Sequence, residues 1–251
     1  MTISSKYFIS VSSSPGVFGT LMYSYFFDHF GLPYHYRTCK ITSTSTFTNL
    51  LKIFDDTDLF SSISVSMPYR LIPPRFFQYR SLDSLNIPIN SFANTIYKDN
   101  SSSFCTSTDI YIFDSFFRNH QTSLPVLIYG TGAMSQLCQA YLSFYKISFT
   151  VLSRGDLTAL KDSLSTDQSY ASFVNATPTP LESLLDLEFN EMPILDLPVR
   201  LDQKLLDFPH VFSGFESTLI QFTRQFEIYT GKYIADNLLS DAVLSCFSLN
   251  L

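Results

Sequence analysis

The sequence predicts an α/β protein built on parallel sheet, and three observations predict it. Short apolar runs alternate with segments of helical periodicity through the first 65 residues. A further strand, glycine turn and amphipathic helix stand together in mid-chain, from Pro125 to Tyr141. Apolar residues make up 45% of the 251, with 25 Phe and 15 Tyr, so a substantial core can form. Strands that alternate with helices pair in parallel, with the helices as crossovers. The length admits one large domain or two modest ones.

The elements can be justified in order. Tyr7 to Val11 reads as a buried strand. Ser12-Ser13-Ser14-Pro15 follows, with Ser14 placed to cap a helix and Pro15 to open it. Val17, Leu21 and Tyr25 recur at helical spacing in the stretch from Gly16 to Phe30. Gly31 stops that helix and Pro33 prevents its return. A second strand covers Tyr34 to Lys40, a helix lies near Phe47 to Phe54, and a third strand covers Ser62 to Val65. Pro73-Pro74 interrupts the next helical stretch. Thr95 to Tyr97 and Ser103 to Cys105 read as a hairpin around Lys98-Asp-Asn-Ser-Ser102. Ser107-Thr-Asp109 opens a helix to about Asn119. A strand over Ser148 to Leu152 comes after the mid-chain unit, and Leu181 to Leu205 supplies a helix and a strand at Pro193 to Leu197.

The mid-chain unit carries the spacing Gly-x-Gly-x-x-Ser, from Gly130 to Ser135. Gly130 permits a sharp turn. Gly132 leaves room for a pyrophosphate against bare backbone at the positive end of the new helix, which begins near Ala133. Ser135 is small enough for helix and strand to pack closely. The same spacing also serves an ordinary strand-to-helix turn. At the other end of the chain, Ser64-Val-Ser-Met-Pro-Tyr-Arg70 is a strand end followed by a proline turn with one long cation. Ligands in parallel sheets gather outside the carboxyl ends of the strands. Ser12, Ser14, Ser64, Ser66 and Arg70 thus fall on one edge, which suits a small polyhydroxylated anion. Each also has a plainer reading, as a helix cap or as an arginine paired on the surface. Asp109 reads either as a first-turn carboxylate favoured by the helix dipole or as a catalytic group.

Composition narrows the function classes. The formal charge is −6 and Lys and Arg do not cluster, which argues against nucleic acid as a partner. Cys39, Cys105, Cys138 and Cys246 are too widely spaced for a zinc knuckle or a disulfide framework. They read as scattered thiols of a reducing cytosol, so a cytoplasmic location is expected. The first residues do not form a signal peptide, and no run approaches the ~20 apolar residues of a membrane span. His29, His35, His120 and His210 show no metal spacing, and no metal is expected.

Taken together, the pieces resemble the shikimate dehydrogenase family, in that family's order. Ser12-Ser13-Ser14-Pro15 matches its Ser-x-Ser-Pro, and Ser64-Val-Ser-Met-Pro-Tyr-Arg70 its Asn-Val-Thr-Val-Pro-Phe-Lys. Phe92-Ala-Asn94-Thr95 corresponds to Ala-Val-Asn-Thr, and Ser107-Thr108-Asp109-Ile110 to Asn-Thr-Asp-Gly. Gly130-Thr-Gly-Ala-Met-Ser135 is similar to Gly-Ala-Gly-Gly-Ala-Ser. Ser153-Arg154-Gly155 is similar to Asn-Arg-Thr, and Asn175-Ala176-Thr177 repeats Asn-Ala-Thr. Gly214-Phe-Glu-Ser-Thr-Leu-Ile-Gln221 resembles Gly-x-x-x-Leu-x-x-Gln with the leucine shifted by one. The match spans nearly the whole chain.

The resemblance implies two α/β domains. Residues 1–108 would bind substrate, 109–213 would form a Rossmann-type NADP-binding domain, and 214–251 would return as helices to the first. It implies NADP-dependent interconversion of 3-dehydroshikimate and shikimate, a step of aromatic amino acid and chorismate biosynthesis, by a monomer or homodimer. Carried over residue by residue, Ser12 and Ser14 hold the substrate carboxylate, and Ser66, Asn94, Asp109 and Gln221 its hydroxyls. Gly130, Gly132, Ala133, Ser135, Ser153, Arg154, Asn175 and Thr177 fall at the cofactor. An acidic residue at the end of the second Rossmann strand holds the ribose of NAD. Arg154 stands there instead and suits the 2′-phosphate of NADP, with Lys161 as the one candidate for a second cation.

The pattern breaks where the chemistry should be. The family pairs a lysine with an aspartate, and the lysine position holds Arg70. A lysine exchanges a proton near neutral pH when burial lowers its pKa, and a guanidinium does not. Arg70 retains the ability to polarise a carbonyl and to favour the charged form of Asp109. General acid–base catalysis contributes roughly 10²–10⁴-fold, and that factor is at stake. Ser64 replaces an asparagine, Ile110 a glycine, and Val199 a tyrosine. A divergent member is expected: a slow enzyme, one with another hydroxy-acid substrate, or a binding relic that acts as sensor or assembly partner.

Overall fold

The computed structural model describes residues 5–81, 85, 87, 91–120, 124–165, 170–179, 181–184, 189, 192–198 and 210–248. The chain divides into two compact α/β units. One comprises residues 1–86, 90–108 and 222–251, the other 87–89 and 109–221. The chain thus returns to the first unit part-way along the helix Gly214–Thr230 rather than at its start.

In the first unit β1 (Lys6–Ser12) lies between two parallel neighbours, β2 (Tyr34–Lys40) and β3 (Ser62–Val65). A short β4 (Gln78–Tyr79) and the hairpin β5 (Thr95–Asp99) and β6 (Ser102–Thr106) complete a mixed sheet in the order β2-β1-β3-β5-β6-β4. Two residues with positive φ, Asn100 and Ser101, form the hairpin turn, the backbone that matches the twist of the flanking strands.

The two faces of this sheet follow from side-chain alternation. Ile9, Val11, Ile63 and Val65 point to the face covered by α2 (Thr44–Asp56), where they meet Phe47, Leu51 and Phe54. Ser43 caps that helix by accepting from the Thr46 N–H at 3.1 Å. Phe8, Tyr36 and Ser64 occupy the opposite face, beneath α1 (Phe18–His29) and α6 (Gly214–Thr230). There Phe26 and Phe27 of α1 pack on Phe226 of α6, with ring centroids 5.2 and 5.7 Å apart. Tyr23 stacks on Tyr36 at 4.1 Å. Each such fully buried ring is worth roughly 1.5–3 kcal/mol relative to exposure. A last helix, α7 (Asp236–Ser248), packs on α1.

Helix α1 ends as the sequence predicts and begins differently. Gly31 has φ +60°, its N–H donates to the Asp28 carbonyl, and Leu32 N–H donates to that of Phe27, the paired bonds of a Schellman cap. At the other end Ser14 does not cap. Its own N–H turns back onto the Ser12 hydroxyl at 3.1 Å, so residues 12–14 are used in a turn. The helix starts later, at Phe18, with Val17 at the N-cap and no side-chain cap bond. Pro73-Pro74 falls in a pair of short 3₁₀ turns, Tyr69–Leu71 and Pro73–Arg75.

The second unit is a wholly parallel sheet. β7 (Val126–Tyr129) lies between β8 (Phe149–Leu152) and β9 (Ser172–Asn175), followed by β10 (Ile194–Asp196) and β11 (Val211–Phe212). The order β11-β10-β9-β7-β8 is doubly wound, with β7 at the point where the strand order reverses. The crossovers include α4 (Ala133–Phe144) and α5 (Leu157–Ser165), and α3 (Ile110–Asn119) precedes β7 and packs on α4. Between β9 and β10 the described residues hold one 3₁₀ turn, Leu181–Leu184. Within the expected Leu181 to Leu205 segment, residues 185–188, 190–191 and 199–205 lie outside the described residues. Among the described residues no helix is long and apolar enough to cross a membrane, and no cluster of His, Cys, Asp or Glu fits a metal ion.

Candidate functional site

Each unit contains a point where the strand order reverses. In the first, the chain runs from β1 to β2 on one side and then to β3 on the other. In the second it runs from β7 to β8 and then back across to β9. A crevice opens outside the carboxyl ends of the strands at such a point, and ligands of open α/β sheets bind there.

At the first reversal Ser66 N–H donates to the Val11 carbonyl at 2.9 Å, so the ends of β1 and β3 lie side by side. This brings Ser12, Ser14 and Ser66 to one edge. Ser14 is exposed, Ser12 and Ser66 are half-buried. The Ser14 and Ser66 hydroxyls have no hydrogen-bond partner among the described residues. A cis Met67–Pro68 peptide then leads into the 3₁₀ turn that carries Arg70. Arg70 is buried, at 9% exposure, rather than spread on the surface. Its Nε donates to the Val65 carbonyl at 3.0 Å and its guanidinium lies 5.6 Å from the Phe92 ring centroid. The cation is thereby fixed at the end of β3.

Asn94 precedes β5 on the same edge and is fully buried. Its Oδ1 accepts from the Thr108 N–H at 2.9 Å and from the Thr95 hydroxyl at 2.8 Å. Its Nδ2 donates to the Thr108 hydroxyl at 2.9 Å. Asn94 therefore spans the start of β5 and the segment after β6. Ser64 lies apart from the other serines: it is buried and donates to Gln225 at 3.1 Å. The glutamine expected on α6, Gln221, is half-buried, and the one wholly enclosed is Gln225, one turn further on. Sequence reasoning missed Gln225 together with Thr95 and Thr108. The signal was a second glutamine at i+4 from Gln221, hence on the same helix face.

At the second reversal the turn after β7 is built by close approach. Gly130 has φ +120°, and a Cβ there would stand 2.8 Å from the Ala176 carbonyl oxygen. Ala176 N–H donates to the Tyr129 carbonyl, and Gly130 N–H to that of Leu152, so the turn is tied to both neighbouring strands. Gly132 differs: a Cβ there would meet nothing within 4 Å. It is the N-cap of α4, no side chain caps that helix, and Ala133 is its first residue. Ser135 is fully buried beneath the first turn and accepts from Gln139 at 3.0 Å. A tight glycine turn, open space and an uncapped helix N-terminus fit the pyrophosphate of a dinucleotide.

The flanking loops complete this half-site. Ser153 and Arg154 are exposed after β8, and the Arg154 side chain has no partner among the described residues. The Tyr129 hydroxyl donates to the Arg154 carbonyl at 2.5 Å and holds that loop beside β7. The nearest acidic residue in sequence, Asp156, accepts from the Ala159 N–H at 3.0 Å and so caps α5. Lys161 is exposed on α5. After β9, Asn175 is fully buried and uses all four of its hydrogen-bonding valences within the unit. Its amide donates to Thr179 O at 2.8 Å and Asp196 Oδ1 at 2.7 Å. Its Oδ1 accepts from the Thr177 N–H at 3.2 Å and hydroxyl at 2.8 Å. Asn175 and Thr177 thus shape the loop that faces Gly130. Asp109 stands at the N-cap of α3, 1% exposed, and its side chain makes no capping bond.

Each α/β unit thus has a strand-order reversal, one lined by serines and one built on a glycine turn, and such reversals are where open α/β sheets bind ligands. Comparison with solved structures identifies the fold as that of shikimate dehydrogenases. A shikimate 5-dehydrogenase-like protein is 20% identical, covers 96% of this chain and 97% of its own, and superposes with a TM-score of 0.74. Shikimate 5-dehydrogenase of Thermus thermophilus, solved with NADP(H) and shikimate, is 18% identical over 96% and 99%, with a TM-score of 0.71. A 5-ketofructose reductase of a Gluconobacter species is 14% identical over 97% and 99%, at 0.69. No family profile matches the sequence, and no curated protein matches it.

Proposed function

We propose that this protein is an NADP-dependent oxidoreductase of a small polyhydroxylated ring acid, with 3-dehydroshikimate and shikimate as the substrate pair. One observation carries this reading. Each unit has its own strand-order reversal, and each reversal holds the residue types its ligand would need. Ser12, Ser14 and Ser66 offer hydroxyls for a carboxylate and a ring hydroxyl beside the buried Arg70. Gly130, Gly132 and Ala133 offer bare backbone at a helix N-terminus, with Arg154 exposed for a 2′-phosphate. The Thermus enzyme of the same fold is solved with both of these ligands.

NADPH held at Gly130, Gly132, Ala133 and Arg154 would supply hydride chemistry to a substrate carbonyl carbon, whose oxygen would take up a proton. The chain's own part is to hold and polarise. Ser14 and Ser66 orient the acid, Asn94 receives a ring hydroxyl, and Arg70 stabilises the developing alkoxide without giving up a proton. Asp109 is the group left to exchange a proton. The same facts favour a second reading, a binding protein with little turnover, because Arg70 replaces the proton-exchanging lysine and its Nε is bound to the Val65 carbonyl.

Two measurements separate the readings. Purified protein is titrated with NADPH and with shikimate, and NADPH oxidation is then followed with 3-dehydroshikimate. Binding with turnover supports the enzyme; binding without turnover, in wild type and in Arg70→Lys alike, supports the binding protein. Absence of binding for both ligands removes both.

A further inference from the structure

Gln225 is buried in the middle of an aromatic helix face, where an apolar residue would pack at no polar cost. Burying an unbonded amide is unfavourable, so a glutamine here needs all its partners. It has them. Its Nε2 donates to the Asn94 carbonyl at 3.1 Å and to the Thr95 hydroxyl at 3.0 Å. Its Oε1 accepts from the Tyr23 hydroxyl at 3.3 Å and the Ser64 hydroxyl at 3.1 Å. The Tyr229 hydroxyl in turn sits 2.7 Å from Ser64. Burial raises the pKa of Tyr23 and of Tyr229 well above the usual phenol, so both remain donors.

The direction of these bonds leads to one atom. Tyr229 donates to Ser64, and Ser64 to Gln225. Gln225 donates to the Thr95 hydroxyl, which must then give its own proton to Asn94 Oδ1. With Oδ1 also accepting from Thr108, the Asn94 amide is fixed in rotation, oxygen inward. Its Nδ2 donates once, to the Thr108 hydroxyl, and its second proton has no partner among the described residues.

We infer that Gln225 is a positioning residue: through the Asn94 carbonyl and the Thr95 hydroxyl it holds the Asn94 side chain so that its spare amide proton serves a ligand hydroxyl. This rests on the reading that Asn94 receives a ring hydroxyl. Gln225 makes no contact with the ligand itself. It sets the affinity for the hydroxylated acid and leaves the dinucleotide half-site, in the other unit, untouched.

The test compares wild type, Gln225→Met and Gln225→Glu. For each, the dissociation constants of shikimate and of NADP+ are measured separately by titration, with the thermal midpoint recorded. Methionine keeps the unbranched shape and removes every hydrogen bond. The expected result is shikimate binding weakened roughly tenfold, the worth of one well-placed hydrogen bond, with NADP+ binding within twofold of wild type. Glutamate keeps the acceptor, but its anion has no donor for Thr95, and its neutral acid has one. Burial favours the neutral form, so Gln225→Glu should regain shikimate affinity as the pH falls from 8 to 6, relative to wild type at each pH. That pH-dependent rescue also stands in if the methionine variant does not fold. Unchanged shikimate affinity in either variant at pH 8, or equal weakening of both ligands, overturns the positioning role while leaving the proposed function intact. Wild type that binds NADP+ but no shikimate overturns both.

Discussion

Gly130 and Gly132 stand two residues apart in one turn, and replacing each by alanine should have opposite consequences. At Gly130 a methyl group would sit 2.8 Å from the Ala176 oxygen, 3.0 Å from its carbonyl carbon and 3.0 Å from Thr177 Cγ2. Two of these neighbours are backbone, and that backbone is held by the Ala176 N–H bond to Tyr129. The φ of +120° adds strain for any residue with a Cβ. A disfavoured backbone region costs about 1–3 kcal/mol, and overpacking costs about 1–3 kcal/mol more. Gly130→Ala should thus destabilise by about 2–6 kcal/mol. In a protein of this size about 1 kcal/mol moves the midpoint by roughly 2–4 °C, so the second unit should melt some 4–24 °C lower. At Gly132 φ is −74° and the space is open. The lost glycine cap and the gain from a stiffer unfolded chain are each a few tenths to ~1 kcal/mol and oppose one another. Gly132→Ala should leave the midpoint within about 2 °C, yet place a methyl where the pyrophosphate approaches and weaken NADP+ binding at least tenfold. Calorimetry and a NADPH fluorescence titration read the two effects. A Gly130→Ala protein as stable as wild type, or a Gly132→Ala protein with unimpaired NADP+ affinity, would refute the geometry or the ligand respectively.

Four further outcomes are expected. Gly214→Ala should cost more than Gly130→Ala in a melt, because its Cβ would fall 2.1 Å from the Pro198 carbonyl oxygen at the start of α6. Asn175→Ala leaves the buried Asp196 and Thr177 short of a partner and should lower stability by about 2–4 kcal/mol in urea titration. Arg70→Lys should raise the rate of 3-dehydroshikimate reduction at least tenfold near pH 7, and the gain should fade as pH rises through the lysine pKa, since only the ammonium form donates; a pH–rate profile parallel to wild type would count against proton transfer at that position. Burial pushes the Cys105 thiol up to about 12 and raises Cys138 and Cys246 as well, whereas Cys39 is only half-buried. Cys39 should therefore react first with a thiol reagent at pH 8. The unfolded thiols lose their protons near 9 while buried Cys105 keeps its own, so stability should fall as pH rises from about 9 toward 12, as followed by circular dichroism.

The readability of the sequence varied with the range of the interaction involved. Gly31 and Gly130 could be read because a residue type and a backbone angle are tied together locally. The start of α1 was misread for a reason equally local. Ser12 accepts from the Ser14 N–H and holds residues 12–14 in a turn, so the helix begins only at Phe18. The capping box of α6, in which Ser213 and Glu216 bond reciprocally at 2.7 and 3.2 Å, carries the local pattern Ser-x-x-Glu, which was not read from the sequence. Neither was Gln225. Its partners lie in three other elements, far along the chain, and the i+4 spacing from Gln221 marks its helix face but not those partners. Asn175 shows the converse. Its motif was recognised, but the motif alone does not reveal that its side chain is engaged wholly within its own unit, with Thr177, Thr179 and Asp196.

A physical reason connects the positions where this chain keeps the pattern of shikimate dehydrogenases and those where it does not. The kept glycines at 130 and 214 touch backbone at 2.8 and 2.1 Å, and the kept asparagines at 94 and 175 are fully buried and hydrogen-bonded. Any change there has to be absorbed by main chain or by a buried polar group, at a cost of several kcal/mol, against a total stability of only about 5–15. Arg70 and Ile110 are buried as well, but each is accommodated where it stands. Arg70 extends along the end of β3 and finds the Val65 carbonyl, and Ile110 enters the buried side of α3 as an ordinary first helical residue. The fold thus tolerates a new cation at a position where, on the proposed reading, a proton would be transferred. Likeness of architecture at 14–20% identity is what such a division produces. It follows that stability measurements cannot report on the chemistry at Arg70: Arg70→Lys should melt within a few degrees of wild type, and the difference between enzyme and binding protein must be read from turnover.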